Sequence, residues 1–162
     1  MSVVSFLVQW IQNPVRTGAI APSSRVLARQ MVKDLDLSTN KVVVELGSGT
    51  GVFSAEIVRR MQGRGTLIMV ERGEALAKEL RLKFPDAVVI CDCVTNLGKH
   101  LEALGFRQVD FIVSGLPWTL FSQELQDRAL EQVVSCLKPG GLFVTFIYMH
   151  GMHFFNIGMR FE

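Results

Sequence analysis

Short, continuously apolar segments alternate with stretches of helical periodicity along most of this chain, and that alternation restricts the fold more than any other feature. Strands are expected at 41–46, 66–71, 87–91, 109–114 and 141–148, each apolar along its length, as strands buried on both faces are. Helices are expected between them at 51–62, 73–83, 95–104 and 121–137. The last should stop at Lys138-Pro139-Gly140-Gly141, a proline followed by paired glycines. Two further helices, 2–12 and 23–35, precede the first strand. Strand–helix alternation of this kind implies an α/β domain, a mainly parallel sheet with helices on both faces. With 162 residues there is room for a single domain of ordinary size. It divides into N-terminal helices (1–35), an α/β core (41–150) and a short tail or edge strand (151–162).

The first expected strand runs into Val44-Glu45-Leu46-Gly47-Ser48-Gly49-Thr50-Gly51. Glycines at such a strand-to-helix turn permit positive φ and let a ligand approach the backbone where a Cβ would collide. A glycine-rich turn alone is weak evidence. It gains weight from Glu71, which ends the next strand about 20 residues on, where a carboxylate can accept from both hydroxyls of a ribose. A nicotinamide dinucleotide would satisfy that much. Glu45 argues for another nucleotide, because dinucleotide binders usually carry an apolar residue two places before the first glycine. The segment Glu45 to Gly51 resembles motif I of the class I methyltransferases. Their cofactor, S-adenosylmethionine, has no pyrophosphate and instead ends in an ammonium and a carboxylate. Asp92, at the end of the third strand between Cys91 and Cys93, is placed like the acidic residue that accepts from the adenine amine in that family.

After the fourth strand comes Ser114-Gly115-Leu116-Pro117-Trp118. It is similar to the segment in which amine methyltransferases carry an Asn or Asp, prolines and an aromatic residue. Methyl transfer from a sulfonium is an in-line displacement, so the protein must chiefly aim a neutral amine. Carbonyls freed by Pro117 and the Ser114 hydroxyl are expected to accept the amine hydrogens. Trp118 is expected to face the cation that forms. Tyr148 and His150 end the fifth strand on the same edge of the sheet, where open α/β folds bind ligands. An alkyl amine arrives protonated at neutral pH. Tyr148 is the first candidate to orient it and His150 the second, with water as the alternative proton acceptor.

These motifs, with Asn13-Pro14, Gly18-Ala19-Ile20, Pro22-Ser23-Ser24 and Phe146-Ile147-Tyr148-Met149-His150, resemble over residues 6–150 the bacterial phospholipid N-methyltransferases. That family converts phosphatidylethanolamine to phosphatidylcholine and shares its catalytic core with the rRNA adenine dimethyltransferases. The resemblance implies a Rossmann-like class I methyltransferase fold, S-adenosylmethionine as methyl donor, and a cofactor set of Glu45, Gly47, Ser48, Gly49, Gly51, Glu71, Asp92 and Ser114. It implies an acceptor set of Ser114, Trp118, Tyr148 and His150, and no metal. It also implies that residues 2–12 contact the membrane and cover the site. That segment carries no charged side chain, and its apolar residues suit either a packed core helix or one lying in the lipid interface. Ser23 and Ser24 would line the methionine end of the cofactor, although a helix N-cap is the simpler role for either.

Composition narrows the partners. A net charge of +2 without a dense basic stripe argues against nucleic acid, whose binding rests on many phosphate contacts. A mean hydropathy of +0.31 implies that some apolar surface meets a partner, and a membrane surface suits it. Cys91, Cys93 and Cys136 form no second ligand pair for a metal, and read as thiols in a reducing, cytoplasmic setting. No apolar run reaches 18 residues, so a peripheral rather than spanning protein is expected. The alternatives are an RNA or other amine N-methyltransferase, or a protein that binds the cofactor without catalysis. Family members continue into a hairpin that completes a seven-stranded sheet. Here His153, Phe155, Ile157, Met159 and Phe161 alternate with other residues and suffice for one more strand. The fifth strand is expected to keep an exposed edge through which two chains could pair.

Overall fold

The computed structural model describes residues 25–149 and 153–160, with side chains for 25–146. The expected helix 2–12, Ser23, Ser24 and His150 lie outside these residues. The chain runs α1 (Arg25–Val32), β1 (Val42–Leu46), α2 (Val52–Met61), β2 (Thr66–Val70), α3 (Glu74–Lys83), β3 (Val88–Ile90), a 3-10 turn (Val94–Asn96), α4 (Leu97–Ala103), β4 (Val109–Ser114), a second 3-10 turn (Trp118–Leu120), α5 (Gln123–Cys136), β5 (Leu137–Met149) and β6 (His153–Arg160). The sheet order is β3-β2-β1-β4-β5-β6. The first five strands are parallel, and β6 is antiparallel to β5. This is the α/β architecture that the alternation predicts, in the Rossmann-like form that the resemblance implies.

The apolar runs work as double-sided strands because alternate residues enter two separate cores. Val43, Leu67, Met69, Val113 and Val144 pack with α1, α2 and Leu80 of α3 on one face. Val44, Leu46, Ile68, Ile112 and Phe143 pack with α4 and α5 on the other. Full burial of a Val, Leu or Ile side chain contributes about 1.5–3 kcal/mol, so both cores hold the sheet between its helices. Strand order reverses between β1 and β4, which opens a crevice at their carboxyl ends, where folds of this kind take ligands.

Three expectations need correction. The helix expected at 23–35 ends at Val32. Leu35 and Leu37 are buried but lie in the loop beyond it, where the Arg60 guanidinium donates to the Val32 and Leu35 carbonyls. Lys138-Pro139-Gly140-Gly141 does not separate α5 from the next strand. β5 starts at once with Leu137 opposite Val109, and its register then slips so that Leu142 faces Phe111. The proline and glycines, with Gly140 at φ 74°, form an irregularity inside the strand. Finally, β5 is not an edge. It pairs with β6 from Leu142↔Arg160 to Met149↔His153, so among the described residues the outer edge of the sheet is β6. Among the described residues no helix is long and apolar enough to cross a membrane.

Candidate functional site

The turn after β1 is built by backbone geometry. Gly47, Gly49 and Gly51 adopt φ of 72°, 53° and 82°, a region costly for side-chain-bearing residues. The Gly47 and Ser48 N–H groups donate to the Val70 carbonyl of β2 at 2.8 and 3.4 Å, which anchors the turn beside the end of the neighbouring strand. A Cβ on Gly51 would lie 2.6 Å from Phe84, whereas one on Gly49 would meet nothing within 4 Å. Gly51 is therefore required by packing, and Gly49 presents bare backbone to open space.

Glu45 is fully buried. Its Oε2 accepts from the Ser54 hydroxyl of α2 at 2.5 Å, while Oε1 and the Ser48 hydroxyl, itself buried, have no partner. Burial pushes the Glu45 carboxyl up to about 7, the Ser54 hydroxyl, the Ser48 hydroxyl and the Ser54 N–H opposing the rise and the Glu71 carboxylate adding to it. A buried carboxylate oxygen without a partner costs free energy. A cationic donor reaching it would offset that cost. Glu71 follows β2, where its two oxygens accept from the Gly49 N–H at 2.8 Å and the Gly73 N–H at 2.7 Å. Those bonds fix the carboxylate against the glycine turn, and each oxygen keeps lone pairs for a diol.

Asp92 follows β3 and is more heavily engaged. It accepts from His100 Nε2 at 2.6 Å, the Cys93 N–H at 2.6 Å and the Asn96 amide at 3.1 Å on both oxygens. His100, then the Cys93 N–H and Asn96, hold the carboxyl down at about 2. Ser54 and His100 were absent from the sequence-derived set. They lie on helices nine and eight residues from their strand-end partners Glu45 and Asp92, spacings that match no local motif. Only an inward polar position on an otherwise apolar helix face hints at Ser54.

On the other side of the crevice, Ser114 ends β4 fully buried. Its hydroxyl oxygen accepts from Trp118 Nε1 at 3.0 Å and the Leu116 N–H at 3.3 Å. With both lone pairs taken, the hydroxyl cannot also accept amine hydrogens as expected. It fixes the tryptophan instead. The Trp118 ring packs edge-on to Phe143, centroids 6.0 Å apart at 82°, and tilted against Phe121 at 5.9 Å. The two motifs touch: a Cβ on Gly47 would lie 2.7 Å from the Leu116 side chain, and one on Gly115 would lie 2.9 Å from the Gly47 carbonyl. The backbone of Tyr148 lies in β5 opposite Phe154, three residues past Thr145, the register partner of Ser114. The structure thus brings Glu45, Glu71, the glycine turn, Ser114 and Trp118 around one crevice, with Asp92 at the end of the outermost parallel strand.

The glycine turn, the unsatisfied buried acceptors and the bare Gly49 backbone suit a ligand with a nucleoside at one end and an ammonium at the other. A family described as a methyltransferase domain matches residues 43–141. The chain is 35% identical over 141 residues to an ornithine lipid N-methyltransferase of Singulisphaera acidiphila, covering 85% of this chain and 73% of that protein. It is 32% identical over 110 residues to a ribosomal RNA small subunit methyltransferase H of Dictyoglomus thermophilum, covering 65% of this chain but only 37% of that protein. Among solved structures, a plantazolicin methyltransferase in complex with SAH superposes with a TM-score of 0.62 at 18% identity, over 88% of this chain and 52% of that one.

Proposed function

The chain belongs to the methyltransferase-domain family and is an S-adenosylmethionine-dependent methyltransferase, and from that premise we propose that its acceptor is the amine of a membrane lipid. The observation that carries the lipid assignment is the similarity to the ornithine lipid N-methyltransferase along most of both chains. S-adenosylmethionine supplies an electrophilic methyl group on a sulfonium. In our reading the free Oε1 of Glu45 and the Ser48 hydroxyl hold the ammonium of its amino-acid end, the Gly49 backbone lies along it, Glu71 accepts from the ribose hydroxyls and Asp92 from the adenine amine.

The crevice between β1 and β4 then admits the lipid amine from the side of the tryptophan turn. Ser114 fixes the plane of Trp118 through the indole N–H, so the ring can face a cation without reorganising as charge develops. Carbonyls of the turn around Pro117 retain lone pairs for the amine hydrogens. The acceptor nitrogen forms its new bond to carbon as the sulfur–carbon bond breaks, with that electron pair staying on sulfur. An N–H proton leaves to water or to Tyr148 or His150. Phosphatidylethanolamine, implied by the sequence resemblance, and ornithine lipid, named for the relative, both offer an aliphatic amine.

The test is transfer of labelled methyl from S-adenosylmethionine to liposomes carrying phosphatidylethanolamine in one arm and ornithine lipid in the other, with Asp92→Ala as control. Label in either lipid with the unsubstituted chain alone supports lipid N-methylation and names the headgroup. Label in neither, with cofactor binding intact, removes the lipid reading. A ribosomal RNA arm covers the second reading, which the Dictyoglomus relative supports.

A further inference from the structure

Glu45 stands one residue before the end of β1, on the face covered by α2. Its neighbours in register are apolar, Met69 of β2 and Val113 of β4, and the α1 residues of that core, Leu27, Ala28, Met31 and Val32, are apolar too. Among the described residues the side chain within hydrogen-bond geometry of the carboxylate is Ser54, itself fully buried, and the nearby Ser48 hydroxyl adds a weaker pull toward the charged form. The charged group that bears on Glu45 is Glu71, a like charge. In this setting the strongest feature favouring ionisation is the Ser54 hydroxyl proton aimed at Oε2. That same bond occupies one oxygen and leaves the other, next to the equally unpartnered Ser48 hydroxyl, for an incoming cation.

We propose that Ser54 is a positioning residue for the methyl donor: by donating to one oxygen of Glu45 from inside α2, it selects the ionised, correctly rotated carboxylate whose other oxygen receives the cofactor's ammonium. This rests on the assignment of Glu45 to the cofactor's amino-acid end and is independent of the methyl acceptor. Ser54 touches no reacting atom. Its effect passes through the charge state of Glu45, which burial holds near 7, so losing the donor raises the pH at which that charge forms.

The experiment is calorimetric titration of the full chain with S-adenosylmethionine from pH 6 to pH 8, using the unsubstituted chain, Ser54→Ala, Ser54→Thr and Glu45→Gln. Taking the ratio of unsubstituted to variant affinity cancels the ligand's own titration. Loss of a hydrogen bond to a charged group raises the carboxyl by roughly one unit. The ratio for Ser54→Ala is therefore expected to be about tenfold at pH 6 and to close to about twofold at pH 8. Ser54→Thr, which restores a hydroxyl, should lie near the unsubstituted chain. Should the alanine variant fail to fold, Ser54→Cys keeps the volume with a weaker donor and gives the same reading. A ratio that is constant with pH overturns the proposal, since a packing role predicts one weakening at every pH. An unsubstituted chain and Glu45→Gln that bind alike throughout would remove the Glu45 assignment, and the role of Ser54 with it. Neither result bears on which amine is methylated.

Discussion

Asp110 and Glu45 are both carboxylates built into central strands, and they stand at opposite ends of the sheet in opposite electrical circumstances. Asp110, near the start of β4, accepts from the Val42 N–H at 2.9 Å and Lys138 at 3.0 Å, with Lys41 at 3.5 Å, so one side chain ties β1, β4 and β5 together. Burial raises its carboxyl, but the Val42 N–H and the two lysines outweigh that and leave it below its ordinary value. Glu45, near the end of β1, has one hydroxyl partner, one bare oxygen and a carboxyl raised to about 7. The amino edge is electrostatically closed and contributes stability. The carboxyl edge is left incomplete, at a cost in stability.

The largest expected effect is on pH-dependent stability without ligand. For Glu45 the folded value lies above the ordinary 4.5, so its contribution is fully present below about pH 4.5 and is lost as pH rises through 7. Denaturant titrations across that window should show the unsubstituted chain losing on the order of 3 kcal/mol relative to Glu45→Gln. A pH-independent difference would break the contrast between the two edges. Asp110 has the opposite sign: its contribution is present at neutral pH and is lost as pH falls through its lowered value. Asp110→Ala should lower stability by about 1–2 kcal/mol and the melting temperature by roughly 3–6 °C, with cofactor affinity unchanged. Affinity that fell with it would show that the amino edge also shapes the site.

Two smaller effects sharpen the contrast within the carboxyl edge. Glu45→Gln should weaken cofactor binding about tenfold or more at pH 8 while leaving the melting temperature equal or higher, measured by calorimetry and thermal melting. His100→Ala should weaken it by only about two- to fivefold, because Asp92 is partly exposed and keeps the Cys93 N–H and Asn96. A tenfold loss would mean that the histidine, and not the backbone, orients that carboxylate.

The fold was legible wherever local pattern and burial coincide, as in the apolar runs of β1, β2 and β4. It was less so at Leu137, where a buried residue paired with Val109 starts a strand before the proline and glycines that look like a stop. The alternation from His153 onward did read as one further strand, and β6 occupies that place. In the site, Glu45, Glu71 and Asp92 stand out as acidic residues at strand ends. Ser54 and His100 do not, because only the rotation of α2 and α4 against the sheet brings them to their partners. The commitment of Ser114 to the indole N–H of Trp118 depends on a 3-10 turn whose shape residue types alone do not specify.

The near-contact of Gly47 with Leu116, and of Gly115 with the Gly47 carbonyl and Phe53, bears on attempts to redirect the enzyme. The tryptophan turn and the glycine turn are seated in each other, with no slack between them. A transplant of residues 116–121 from a methyltransferase of different specificity must bring a side chain that fits over Gly47 as Leu116 does, or the glycine turn shifts with the graft.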